Sequence, residues 1–132
     1  MTVRLNVTTR NAGLAQITTD IGTSGQLRIY NGTQPASVAT ALSSNTLLAQ
    51  LALSATAAAA PSAGVWTANT ITADASADAT GTQTWAALTT SAGVRVVDMS
   101  AGNGAGALNL AGTITLGGTV SVTSLTITDN NA

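Results

Sequence analysis

Five aspartates (Asp20, Asp74, Asp78, Asp98 and Asp129) and one tyrosine (Tyr30) are the only side chains in this chain suited to proton transfer. It contains no Lys, Glu, His or Cys, and its many hydroxyls have no imidazole or amine beside them to make them nucleophiles. An aspartate-based hydrolase would have to bring two of the five carboxyls into one cleft. The closest pair in sequence, Asp74 and Asp78, lies in a Ser/Ala-rich stretch where the two could share a calcium ion. Hard cations require six or more oxygen ligands, so solvated loop carboxylates are the expected reading. Asp98 lies in an alternating apolar segment within reach of Arg95 or Arg28, an ordinary sheet ion pair. The run Gly102-Asn103-Gly104-Ala105-Gly106 has neither dinucleotide-fingerprint nor P-loop spacing and precedes a strand pattern, so a surface loop is expected. No catalytic, cofactor-binding or metal-ligating residue is assigned, and a non-enzymatic structural or binding module is the expectation.

Composition narrows the class further. The 132 residues fit one domain, and more than half of them are Ala, Thr, Gly or Ser. Large side chains are confined to two Trp, two Met and one Tyr beside the aliphatics, a stock better matched to facing sheets than to large-knob helices. Net charge is −1 and the four arginines are scattered, so no electrostatic footprint for nucleic acid or an anionic membrane is present. Without cysteine there is no disulfide framework. The first residues lack a signal-peptide pattern, and the longest apolar run, 47–60, is broken by Gln50 and too short to span a bilayer. Synthesis in a cytoplasm is expected, with no membrane and no nucleic-acid partner.

The elements that must position these groups follow from periodicity. Residues 2–8 alternate, with Val3, Leu5 and Val7 on one face and Arg4 among the polar residues on the other, predicting an N-terminal arm or strand over 1–8. Between 9 and 21, Leu14, Ile17 and Ile21 step by three and four; Thr8 or Thr9 is placed to cap the start and Gly22 the end of one short helix. Beyond Gly25 alternation takes over: a strand over 27–30, then candidates at 47–53, 65–73, 82–88, 94–99, 107–110, 113–116 and 119–128. About eight strands with close-spaced turns predict a mainly β domain over 9–132, a β-sandwich or jelly roll. In 119–128 the apolar parity switches from Val120 and Val122 to Leu125 and Ile127, implying a bulge or a crossing between sheets near Ser124. Residues 55–60 are too few to nucleate a helix before Pro61 and are read as a loop. Trp85, among small residues, is expected in the core with its indole N–H bonded. Trp66 has parity opposite to Val65, Ile71 and Ala73, which makes it a candidate exposed interface anchor.

The runs 27–35, 45–51 and 73–82 leading into Trp85, with the closing 120–128, resemble small proteins encoded among the virion genes of tailed bacteriophages and prophages. Over roughly residues 9–128 the likeness holds, with Ala86 and Leu53 standing where an aromatic is usual. It implies a virion component, most like the capsid decoration or cement proteins: jelly-roll-like knobs on the capsid exterior, made in the host cytoplasm, that tie major capsid protein subunits together. The alternatives are a tail, baseplate or fibre-base module and, from another class, a carbohydrate-binding sandwich using Trp66 and Tyr30. Because the chain has no lysine, it cannot supply the amine of an isopeptide crosslink, and bridging is expected to be non-covalent. Self-association as a dimer or trimer is expected, with Val3, Arg4, Leu5, Val7 and Trp66 as interface residues and the arm adding to a neighbouring sheet edge.

Overall fold

Asn6, in extended conformation, opens helix α1 (Val7–Ile21) by accepting the Thr9 N–H at 2.9 Å on its side-chain oxygen. The computed structural model describes residues 2–102, 108–110 and 112–131. Asn6, rather than Thr8 or Thr9, is therefore the cap, and Val7 lies in the first helical turn. The predicted strand over 2–8 does not form: a short polar side chain that satisfies an orphan amide outweighs three alternating aliphatics with no strand to pair with. Gly22, at φ 71°, closes the helix as expected, its N–H donating to Thr18 O at 3.2 Å. Leu14 and Ile21 are buried and Ile17 packs beside them, so the expected stripe faces the core.

Seven strands follow: β1 (Gln26–Tyr30), β2 (Leu47–Ala52), β3 (Val65–Thr67), β4 (Trp85–Thr89), β5 (Arg95–Gly102), β6 (Leu108–Asn109) and β7 (Thr126–Thr128). They form a five-stranded sheet in the order β2-β1-β4-β5-β6 and a two-stranded sheet, β3-β7. Pairing is antiparallel throughout, except that β6 runs parallel to β5 at Ala101 and Gly102. The chain is thus mainly β with one helix. About eight strands were expected. Among the described residues the strand expected at 113–116 is missing and those expected at 65–73, 82–88 and 119–128 are shortened, because between 68 and 84 and between 112 and 124 the chain forms single bridges instead: Ala52 with Thr72, Ala58 with Ala68, Asp74 with Val120 and Gly81 with Ile114. Residues 103–106 of the glycine-rich run, and Ala107 at the start of an expected strand, lie outside the described residues.

Strand register sorts the side chains of the large sheet. Leu27 faces Leu51 and Leu88, Ile29 faces Ala49 and Ala86, and Val97 and Met99 continue that face on β5. This face meets α1, Trp66, Ile114, Val120, Val122 and Leu125 in the main core. The parity switch near Ser124 is visible as a change of neighbour. Val120 bridges Asp74, whereas Leu125 O accepts from Ala68 N and 126–128 pair with β3. The opposite face of the large sheet carries Tyr30, Trp85 and Ala87, a second, smaller cluster joined by Leu47.

Candidate assembly surface

On that second face, Trp85 and Tyr30 sit opposite each other across β4 and β1 and stack with centroids 4.5 Å apart and planes 13° from parallel. Trp85 is fully buried and its Nε1 donates to Asn31 O at 3.2 Å, as its core role requires. Tyr30 and Arg95 lie against its ring, and the Asn31 carbonyl that accepts from it opens the connection between β1 and β2. Asn31 and Asn45 knit its base: Thr46 N donates to Asn31 Oδ1 at 2.8 Å, while Asn45 Nδ2 donates to Asn31 O and Thr33 O. Thr84 Oγ1 donates to Gly32 O, so the same segment is tied to the start of β4.

Arg95 holds the far end of this connection. Its Cζ lies 5.6 Å from the Trp85 ring centroid, its Nη2 donates to the carbonyls of Val38 (3.0 Å) and Thr40, and its Nη1 pairs with Asp98 Oδ2 at 2.7 Å. In a regular strand, residues three apart point to opposite faces. Here Thr89 pairs with Arg95 while Leu88 pairs with Val97, so Val96 is the extra residue of a bulge that brings Arg95 back to the face of Asp98. Both side chains are buried, at 8% and 5% exposure. Burial pushes the Asp98 carboxyl above its ordinary range, and Arg95 offsets part of that rise. Asp98 Oδ1 has no hydrogen-bond partner. The pair was legible in the sequence as sheet decoration, but its burial was not. The clamp leaves Val38 and Leu42 of the connection exposed, and beside Arg95 it leaves Val94 at 63% exposure.

A cleft of about 440 Å³ runs beside this clamp, with Gln34 and residues 97–100 on one wall and 126–128 on the other. Consecutive residues of both strands line it, so the two strands meet it edge-on.

The sequence-derived interface residues are not gathered into one surface. Val3 and Arg4 are exposed, Leu5 is half-buried with its N–H donating to Asn131 O at 2.6 Å, and Val7 is on the helix. Trp66 is not an exposed anchor. It is fully buried in the main core and its Nε1 donates to Thr18 Oγ1 at 2.9 Å. The parity read from Ile71 and Ala73 does not apply to it, because β3 ends at Thr67 and those residues belong to a different run of chain. With Trp66 and Tyr30 both buried, the exposed aromatic platform of a carbohydrate-binding sandwich is not formed.

Three other aspartates accept hydrogen bonds within the fold. Asp74 accepts the main-chain N–H groups of Gln50 and Ser76 at 2.9 and 3.0 Å, a structural use of both carboxylate oxygens. Asp20 accepts from Gln16 Nε2, and Asp129 from Asn131 N. Among the described residues, no three acidic side chains gather where a metal ion could be held, and no helix is long and apolar enough to cross a membrane. No family model matches this chain, and no curated protein or solved structure matches it either.

Proposed function

We propose that this chain is a structural component of a tailed-bacteriophage virion that decorates the capsid exterior and ties major capsid protein subunits together without covalent bonds. The two sheets, enclosing one core with α1, are read as a reduced β-sandwich of jelly-roll type. The observation that carries the proposal is the Arg95 clamp. It fixes a 16-residue connection, 31–46, against the outer sheet face and presents Val38, Leu42 and Val94 on a surface with few charges. A pre-ordered apolar patch loses little entropy on docking, and many weak copies arrayed on a symmetric shell add through multivalency. The reading also rests on the resemblance of the runs 27–35, 45–51, 73–82 and 120–128 to virion proteins of tailed phages.

The test is binding to undecorated capsid shells built from the major capsid protein encoded with this chain, followed by electron microscopy of the particles. Regularly spaced density on the outer shell is expected, reduced by Val38→Asp together with Val94→Asp. Density confined to the tail or baseplate would replace the capsid assignment with that of a tail module, and no association with particles would overturn both.

A further inference from the structure

The cleft between β5 and β7 is bordered by two sheet edges that, among the described residues, no strand covers at 95–99 and at 126–128. On its outer side β5 is joined by β6 at Ala101 and Gly102, and among the described residues no strand pairs with 95–99 there. The bond from Ala101 N to Thr84 O sets the alternation that turns the main chain of Met99 and Val97 toward β4 and that of Asp98 outward. On the other wall, β7 pairs with β3 and, among the described residues, with no other strand. The bonds from Ala68 N to Leu125 O and from Asp129 N to Gly64 O turn the odd-numbered residues toward β3, so the main chains of Thr126 and Thr128 point away from it. The cleft therefore offers donors and acceptors on both sides, as a missing strand between two edges would require.

Its lining also holds an unused acceptor. Asp98, one of the residues lining the cleft, has a buried Oδ1 with no partner. Three of the four arginines have partners: Arg10 bonds to Asp129 O, Arg28 to Gln26 and Arg95 to Asp98. Arg4 is exposed and makes no bond among the described residues. It sits in the one segment ahead of the helix that alternates, with Val3 at 63% exposure. The chain's own residues 2–5 do not line the cleft.

We infer that residues 2–5 of a second copy, releasing the bond from Leu5 N–H to their own Asn131 O, enter this cleft as an added strand, joining β5 to β7, with Arg4 beside Asp98 and Val3 and Leu5 on the face of Val97 and Met99. The alternation matches: in β5, Asp98 lies on the opposite face from Val97 and Met99, as Arg4 does from Val3 and Leu5 in an extended strand. Reciprocal exchange gives a closed dimer. This association needs no capsid, so it stands or falls separately from the decoration reading.

Hydrogen exchange of the full chain over a range of concentrations, with light scattering, tests it. The amides of Asp98, Thr126 and Thr128 are expected to exchange at least about tenfold more slowly at high than at low concentration. Removing residues 2–5, which leaves the Asn6 cap intact, is expected to abolish that protection and give a monomer with an unchanged helix signal. Arg4→Glu is expected to raise the dimer dissociation constant at least about tenfold. Protection that is lost on deletion but independent of concentration would mean that the chain's own arm fills the cleft, overturning the proposal. So would fast exchange at every concentration, or a dimer that survives the deletion.

Discussion

The indole N–H of Trp66 donates to the hydroxyl of Thr18 across 2.9 Å, binding the helix to the small sheet through two residues 48 apart in sequence. Thr18→Val keeps the shape of the side chain but leaves the indole N–H, on a fully buried residue, without its acceptor. A loss of about 1–3 kcal/mol is expected, read in urea unfolding as a lower midpoint with unchanged slope. Thr18→Ser, which keeps the acceptor, is expected to recover most of it. Equal losses in the two variants would show that the methyl packing, and not the bond, joins these elements.

Breaking the Arg95 clamp has a local readout. In Arg95→Met, Asp98 is left as a buried carboxyl without its cation, and the connection 31–46 loses its far anchor; the expected cost is about 3–5 kcal/mol. Under native conditions, limited proteolysis by a protease of broad specificity should then cut faster within 36–44 than it does in the parent, where Arg95 tethers the segment. Replacing Asp98 by Leu in the same chain should restore much of the stability while leaving the connection susceptible, which separates the charge from the tether.

Asp98 also predicts an uncommon pH response. Its folded-state carboxyl is raised above the ordinary value of 3.8, burial being the larger cause and Arg95 opposing it. The folded chain therefore holds this proton more tightly than the unfolded chain. The contribution of Asp98 to stability falls as pH rises from the ordinary value through the raised one, and it is recovered as pH is lowered through the same window. Measured against Asp98→Asn, the parent is expected to gain relative stability on acidification through that window and then level off. A relative loss over that interval would mean that Arg95, not burial, dominates.

Gly25 precedes β1 where α1, β2 and β4 converge. A Cβ there would overlap Ile21 Cγ2 and lie 2.9 Å from Thr89 O and 3.3 Å from Leu53 Cδ1. Because one of these obstacles is main chain, the site cannot relax by a rotamer change alone. Gly25→Ala is expected to lower stability by about 1–3 kcal/mol, whereas Gly13→Ala, with nothing within 4 Å of the added methyl, should be neutral or stabilising by thermal melting.

Local chemistry was readable in the sequence, and long-range pairing was not. Leu14, Ile17, Ile21 and Gly22 place the helix because capping and three-four spacing act within a few residues, and the switch from Val122 to Leu125 correctly signals a change of neighbour. Residues 2–8 misled because alternation is necessary for a strand but not sufficient: Asn6 offered a cap, and no adjacent strand competed for Val7. Trp66 was misplaced because its phase is set by three residues of β3 and not by the longer run that contains it. The Val96 bulge left no trace in the sequence, since an extra residue in one strand is defined only by the strand opposite. The Arg95–Asp98 pair could be named, while the connection that buries it could not.

The pairing of β3 with β7 bears on the order in which the molecule comes together. Trp66 faces Ile127, about 60 residues later, and among the described residues β3 has no other strand beside it. β1, β2 and β4 can organise around Leu27, Ile29 and Leu88 as soon as they leave the ribosome, but β3, which carries Trp66, must wait for its partner strand until nearly the whole described chain is made. Contacts closed over so long a loop form late and slowly. Until then β3 lacks its partner strand, and that nascent state, more than the finished fold, is where material would be lost to aggregation.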